Sequence, residues 1–287
     1  MKTRLIPAVL LLLALFVTAC QPQGAPVPAD PLEAVKTIAD KQQEVKSQHV
    51  NMNLALNLKL DGLTGDQAQM AALFKNFKAS LNIDGDVDSA KQDFSLKGDL
   101  DLGALTTFIT QGEDKLLFEV KKVGDKTYTK VNVGDNANEW QTQDTPLVKE
   151  AESKDNPLSP QMVMNLLKQS SKAEKLADEK IGDVDTYHYK VTLDPQALLT
   201  SISDLATAAG SSVDTAQLDE AKQFLKDSTL EVELWAGKQD LLMRQAKVHF
   251  NLNLKDLPDM PGATALIDLV FTNTASNLNQ PVTITAP

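Results

Sequence analysis

From Val50 to Leu60 the chain alternates strictly, with Val50, Met52, Leu54, Leu56, Leu58 and Leu60 apolar and Asn51, Asn53, Ala55, Asn57 and Lys59 between them. A period of two sends successive side chains to opposite faces of a strand, so one face here is apolar and the other is wet. That is the pattern of an antiparallel sheet covered on one side only. The alternation returns in Ala79, Leu81, Ile83 and Val87, then in Phe94, Leu96, Leu100 and Leu102. It resumes in Leu116, Phe118 and Val120 after the turn-rich Gln-Gly-Glu-Asp, and Gly124-Asp125 leads into 128–133, ending near Trp140. The second half repeats the style over 172–180, a turn at Gly182-Asp183, 186–193, Leu230 with Val232 and Leu234, 242–254 and 265–271. About ten alternating strands joined by short turns predict an α+β fold built on one large curved antiparallel sheet.

Period 3.6 interrupts this pattern. Leu32, Val35, Ile38 and Ala39 share one face of a helix predicted over 32–47. Met70, Ala71, Phe74 and Phe77 have helical spacing within 65–78. Ser159-Pro160 supplies an N-cap and a first-turn proline for a helix containing Val163, Leu166 and Leu167. Asp194-Pro195 opens a further helix over 196–209, and 214–226 continues after a Gly-Ser-Ser break. These helices need an apolar surface, and the one-sided sheet offers it, so helices covering the concave apolar face are expected. Each half holds a helix, strands and a long helical connection, but no residue-by-residue match establishes a duplication.

The first residues change the picture. Lys2 and Arg4 precede an apolar run from Leu5 to Val17, which closes on Val-Thr-Ala-Cys with Cys20 as the sole cysteine of 287 residues. This is the layout of a secretory signal, 1–19, cut just before a cysteine whose thiol takes a lipid. The run is short of the roughly 20 residues of a spanning helix, which weakens the alternative of a transmembrane anchor. With its only thiol acylated, the chain has no disulfide and relies on its core alone. Four prolines in Gln21–Pro31 make 20–31 a tether, read either as an extended stalk or as a plain spacer. The remaining 32–287 is one domain, large enough for its own core.

Net charge is −11, and loss of Lys2 and Arg4 with the signal makes it −13. So acidic a chain disfavours nucleic acid and electrostatic adhesion to anionic lipid. His49, His188 and His249 fall in or beside strands, and solvent-facing sheet histidines account for them. No paired ligand spacing for zinc, no Gly-x-Ser-x-Gly elbow and no phosphate loop is present, so no catalytic residues, metal or cofactor are assigned. Asp84, Asp86 and Asp88 suggest calcium at first sight, but period two puts all three on one wet face and no closing Glu completes a loop. The apolar positions are mostly aliphatic, with nine Phe, three Tyr and two Trp in the whole chain. Such a lining suits flexible chains better than stacked rings, although ordinary cores are aliphatic too.

Three separated strings carry a resemblance. Asp178-Glu-Lys-Ile-Gly-Asp-Val-Asp-Thr-Tyr-His-Tyr-Lys-Val-Thr-Leu-Asp-Pro195, Trp235-Ala-Gly-Lys-Gln-Asp-Leu-Leu-Met-Arg244 and the ending from Phe271 through Asn279-Gln-Pro-Val to Pro287 occur in order. With the cysteine and the proline-rich tether, they resemble the LppX/LprG-type cell-envelope lipoproteins, relatives of the carrier LolA. The segments 65–78 and 214–226 have no counterpart in that resemblance. It implies a half-open barrel enclosing an apolar cavity for the acyl chains of a lipid or lipoglycan.

The candidate cavity residues are Leu54, Leu56, Leu81, Ile83, Phe94, Leu96, Phe118, Val120, Val232, Leu234, Val248, Phe250, Ile267 and Leu269, with Cys20 as the lipid anchor. The same side chains also suit a solid core under the helices. The expectation is an exported monomer held by Cys20 on the outer face of the membrane, not an enzyme, which binds a lipid and carries or presents it. An exporter is one candidate protein partner. The alternative is a surface scaffold or sensor lipoprotein with a filled core.

Overall fold

The computed structural model describes residues 25–62, 76–110, 112–134, 137–144, 167, 170, 172–196, 199, 225–255 and 262–287. Its frame is a single twelve-stranded antiparallel sheet that does not close on itself. The strands are β1 (Ser47–Asp61), β2 (Phe77–Asp88), β3 (Asp93–Asp101), β4 (Leu116–Val123), β5 (Lys126–Val131) and β6 (Gln141–Asp144). They continue as β7 (Ala173–Lys175), β8 (Glu179–Ile181), β9 (Val184–Leu193), β10 (Thr229–Gly237), β11 (Met243–Lys255) and β12 (Thr264–Ser276). The spatial order is β6-β5-β4-β3-β2-β1-β12-β11-β10-β9-β7, with β8 also pairing β9. The first and last long strands therefore meet in the middle, with His49 opposite Ser276 and Asp61 opposite Thr264.

Two hairpins follow directly from their turn residues. Val123 faces Lys126 across Gly124-Asp125, and Ile181 faces Val184 across Gly182-Asp183. The glycines take φ of +59° and +57°, which suits the first position of a tight two-residue hairpin loop. Glycine has another use between β2 and β3. A Cβ at Gly85 would run into the Ser95 carbonyl, and one at Gly98 into the Asn82 carbonyl and the Phe118 ring. Glycine alone lets these strands approach so closely, the device that bends a sheet toward a barrel.

Helix α1 spans Pro31–Gln42. Asp30 caps it, accepting hydrogen bonds from the backbone N–H groups of Leu32 at 2.9 Å and Glu33 at 3.0 Å. Its buried stripe of Ala34, Val35, Ile38 and Ala39 packs with Tyr189, Val191, Val232, Leu234, Ala236, Leu241 and Met243. The Met243 N–H donates to Gln42 Oε1 at 3.0 Å and ties the end of α1 to the sheet. Ala25 and Val27 also lie against this core, so the body takes in part of the segment read from composition as tether.

Several expected boundaries move. The helix predicted over 32–47 stops at Gln42, because Ser47 already pairs with Asp88. Phe77 and Lys78 are in a strand, not a helix, since Phe77 faces Leu58 and extends the alternation of Ala79, Leu81 and Ile83 backwards. The rest of that predicted helix, 65–75, lies outside the described residues, as do most of the helices expected after Ser159, over 196–209 and over 214–226. Of the last, Leu225–Asp227 forms a single 3-10 turn. The strand expected over 172–180 is two short ones, β7 and β8, because each pairs with a different stretch of β9. A short helix, α2 (Ala104–Ile109), follows β3, where the sequence reading placed no element.

Candidate ligand-binding site

Residues directly opposite one another in antiparallel strands share a face. Leu116, Leu100, Leu81, Leu54, Phe271, Val248, Val232, Val191 and Ala173 form one unbroken apolar row across nine strands. One residue along each strand, the row is Leu117, Asp99, Asn82, Asn53, Thr272, Lys247, Glu233, Lys190 and Glu174. The sheet is therefore two-sided, with one wet face and one aliphatic.

All fourteen candidate residues lie on the apolar face, but they divide by packing. Val232 and Leu234 are 2% and 0% exposed in the solid core under α1, with Val248 packed against it. They act as core filler at that end of the sheet. Leu54, Leu56, Leu81, Ile83, Phe94, Leu96, Phe118, Val120, Phe250, Ile267 and Leu269 are only half-buried. Large aliphatic and aromatic side chains thus keep accessible surface along β1–β4, β11 and β12, away from α1. Cys20 lies outside the described residues.

The wet face is held by side-chain ladders. Asn53 donates to Asn82 at 2.6 Å, Asn82 donates to Asp99 at 3.1 Å, and Lys115 reaches Asp99 at 2.7 Å. The Lys115 hydrogen bond, with help from Asn82, holds the Asp99 carboxyl below the usual range. Two hollows of about 360 and 370 Å³ open on this wet face, the first over Asn51, Asn82 and Asp99, the second over Asn57, Lys78 and Asp268. Asp84 and Asp86 both reach His49, at 3.3 and 2.8 Å, and Asp88 follows on the same face. Among the described residues no group of three or more His, Cys, Asp or Glu is arranged to hold a metal ion.

The histidines do not behave alike. His49 and His249 sit on the wet face beside carboxylates, with Asp268 2.6 Å from His249. His188 is on that face too but is only 5% exposed, contrary to the solvent-facing expectation. Trp235 on the neighbouring strand covers it.

One residue of interest escaped sequence reading. The last strand runs on to Ser276, past the expected end at Phe271, and brings Asn273 onto the apolar face opposite Met52 and Ala246. Continuing the alternation of Ile267, Leu269 and Phe271 by one step would have found a polar residue at an apolar position.

Among solved structures, this half-open sheet has neighbours. The lipoprotein LppX is among them. The Mycobacterium tuberculosis LppX structure matches at 14% identity over 88% of this chain and 98% of that one, with a TM-score of 0.41. LprF from Mycobacterium bovis matches at 15% identity over 88% and 96%, also with a TM-score of 0.41. A lipovitellin structure described by its lipid-protein interactions matches at 9% identity over 84% of this chain and 26% of that one, with a TM-score of 0.35. No family model and no curated protein matches the chain. No helix among the described residues is long and apolar enough to cross a membrane.

Proposed function

We propose that this chain is a non-enzymatic lipoprotein, anchored through Cys20, whose apolar face shelters the acyl chains of a lipid or lipoglycan and carries or presents it across the cell envelope. The supporting observation is the half-buried aliphatic surface centred on Leu54, Leu81 and Phe271, beside a core that is solid where α1 packs. Burial is worth about 0.8 kcal/mol per methylene, so about ten methylenes laid on this face contribute roughly 8 kcal/mol without a specific polar contact. A diacylated Cys20 would supply stable anchoring, which a single chain does not.

Native mass spectrometry tests the reading on the full chain carrying Cys20→Ala, recovered from the host that exports it. Co-purifying lipid is expected. Bare protein that also takes up no fluorescent fatty acid would overturn the proposal and leave a filled-core scaffold in its place.

A further inference from the structure

At the paired positions of β1–β4 and β10–β12 on the apolar face, three side chains are polar: Gln48, Lys122 and Asn273. Lys122 donates its Nζ to the Gln92 carbonyl at 2.6 Å. Gln48 Oε1 and Asn273 Oδ1 are buried and accept no hydrogen bond. Asn273 is the more exceptional, because it sits in mid-face with Met52 on one side and Ala246 on the other. Phe271 and Ala275 flank it along its own strand, and none of these four side chains can donate a hydrogen bond. Buried acceptors without partners are rare in folded proteins, and one on a candidate binding face calls for a donor from outside the chain.

We infer that the Asn273 side-chain amide accepts a hydrogen bond from a hydroxyl of the bound amphiphile, near the point where its acyl chain begins. The inference rests on the lipid-binding reading above and adds the ligand's chemistry and direction. From Asn273 toward the far end of the sheet the face is purely apolar, through Leu54 with Phe271, Leu56 with Leu269, Leu58 with Ile267 and Leu60 with Ala265. At about 3.3 Å per residue, Met52 to Leu60 spans roughly 26 Å, room for an extended long chain. In the other direction lie Gln48 and, at its level across β2 and β3, Lys122. The ligand therefore lies with its chain toward Leu60 and its polar part toward Gln48, and a lipid with a free hydroxyl is preferred over one in which every oxygen is alkylated or acylated.

The test measures binding of 1,2-dioleoylglycerol and of its 3-O-methyl ether to the full chain carrying Cys20→Ala. The unmodified face should prefer the alcohol by about tenfold, the worth of one hydrogen bond to a buried acceptor. Asn273→Leu, with Asn273→Val as a second variant, should bind both lipids with the affinity the parent shows for the ether. Equal binding of the two lipids by the parent, or a preference that survives both substitutions, overturns the assignment while leaving lipid binding intact. If neither lipid binds at all, the functional reading fails and this inference goes with it.

Discussion

The imidazole of His188 lies flat on the indole of Trp235, with ring centroids 4.2 Å apart and planes 16° from parallel. Carboxylates close the stack from both sides. Glu233 is 3.0 Å from His188 Nε2, and Trp235 Nε1 donates to Glu179 at 3.0 Å. The stack thus fixes β8 against β9 and β10 near one edge of the sheet. Replacing the ring removes the stacking and leaves a gap beside two acids. His188→Ala should lower stability by roughly 1–3 kcal/mol, read as a lower urea midpoint at unchanged slope. An unchanged midpoint would show that the stack is incidental.

The core under α1 and the half-buried rows should respond differently to substitution. Leu234→Ala opens a cavity in solid packing and is expected to cost about 2–5 kcal/mol while leaving lipid uptake unaltered in the protein that remains folded. Leu81→Trp, by contrast, adds bulk where surface is still accessible. It should lower uptake of a fluorescent fatty acid with little change in melting temperature. Equal effects of the two changes on uptake would mean that the division of the face is wrong.

Tyr189 is 1% exposed in the α1 core, and burial, followed by Tyr187 and Asp178, pushes its phenol up to about 12. Its unfolded value is near 10. The folded state therefore holds this proton more tightly than the unfolded chain does. The resulting stability is complete below about pH 10 and is lost as pH rises from about 10 through about 12, by at most about 3 kcal/mol. Urea titrations across that window should show a steeper loss for the parent than for Tyr189→Phe, which cancels the contribution of other alkaline groups. Parallel curves would refute the linkage.

Gly85 and Gly98 should each resist alanine. The added methyl meets backbone of the adjoining strand, which cannot swing aside as a side-chain end can. A loss of roughly 1–3 kcal/mol is expected for Gly98→Ala, by thermal or urea unfolding. If the curve of β2 against β3 also shapes the binding face, the variant should take up less lipid than its stability alone explains.

Asn273→Leu should do the reverse for stability. Removing a buried acceptor that nothing satisfies is expected to raise the unfolding free energy of the lipid-free protein by about 1–3 kcal/mol. A drop instead would mean that the amide has a structural partner when lipid is absent.

Much of this fold is legible from parity. The eleven residues from Val50 to Leu60 are enough to assign faces, and every candidate inward residue lands on one face of the sheet because period two carries that information locally. Gly124-Asp125 and Gly182-Asp183 likewise declare their turns. What is not local does not show. Nothing in 47–61 or 264–276 alone says that these two strands pair. The burial of His188 depends on Trp235, far along the chain, and the packing of Ala25 and Val27 depends on α1 closing over β9 and β10. Sequence reading identified the apolar face but could not separate Val232 and Leu234, filled in by a helix, from Leu54 and Leu81.

The pairing of β1 with β12 also sets a clock. Because the strand beginning at Ser47 finds one of its two neighbours only in the segment ending at Ser276, the face they share cannot be assembled until nearly the whole chain is available. Contacts so distant in sequence close slowly. Asn279 then latches the junction, accepting from the Lys46 N–H at 2.8 Å and donating its own N–H to the Ser47 carbonyl at 2.8 Å. A chain cut short before Thr264 would lack β12, and the edges of β1 and β11 that it joins would be exposed to any other chain nearby.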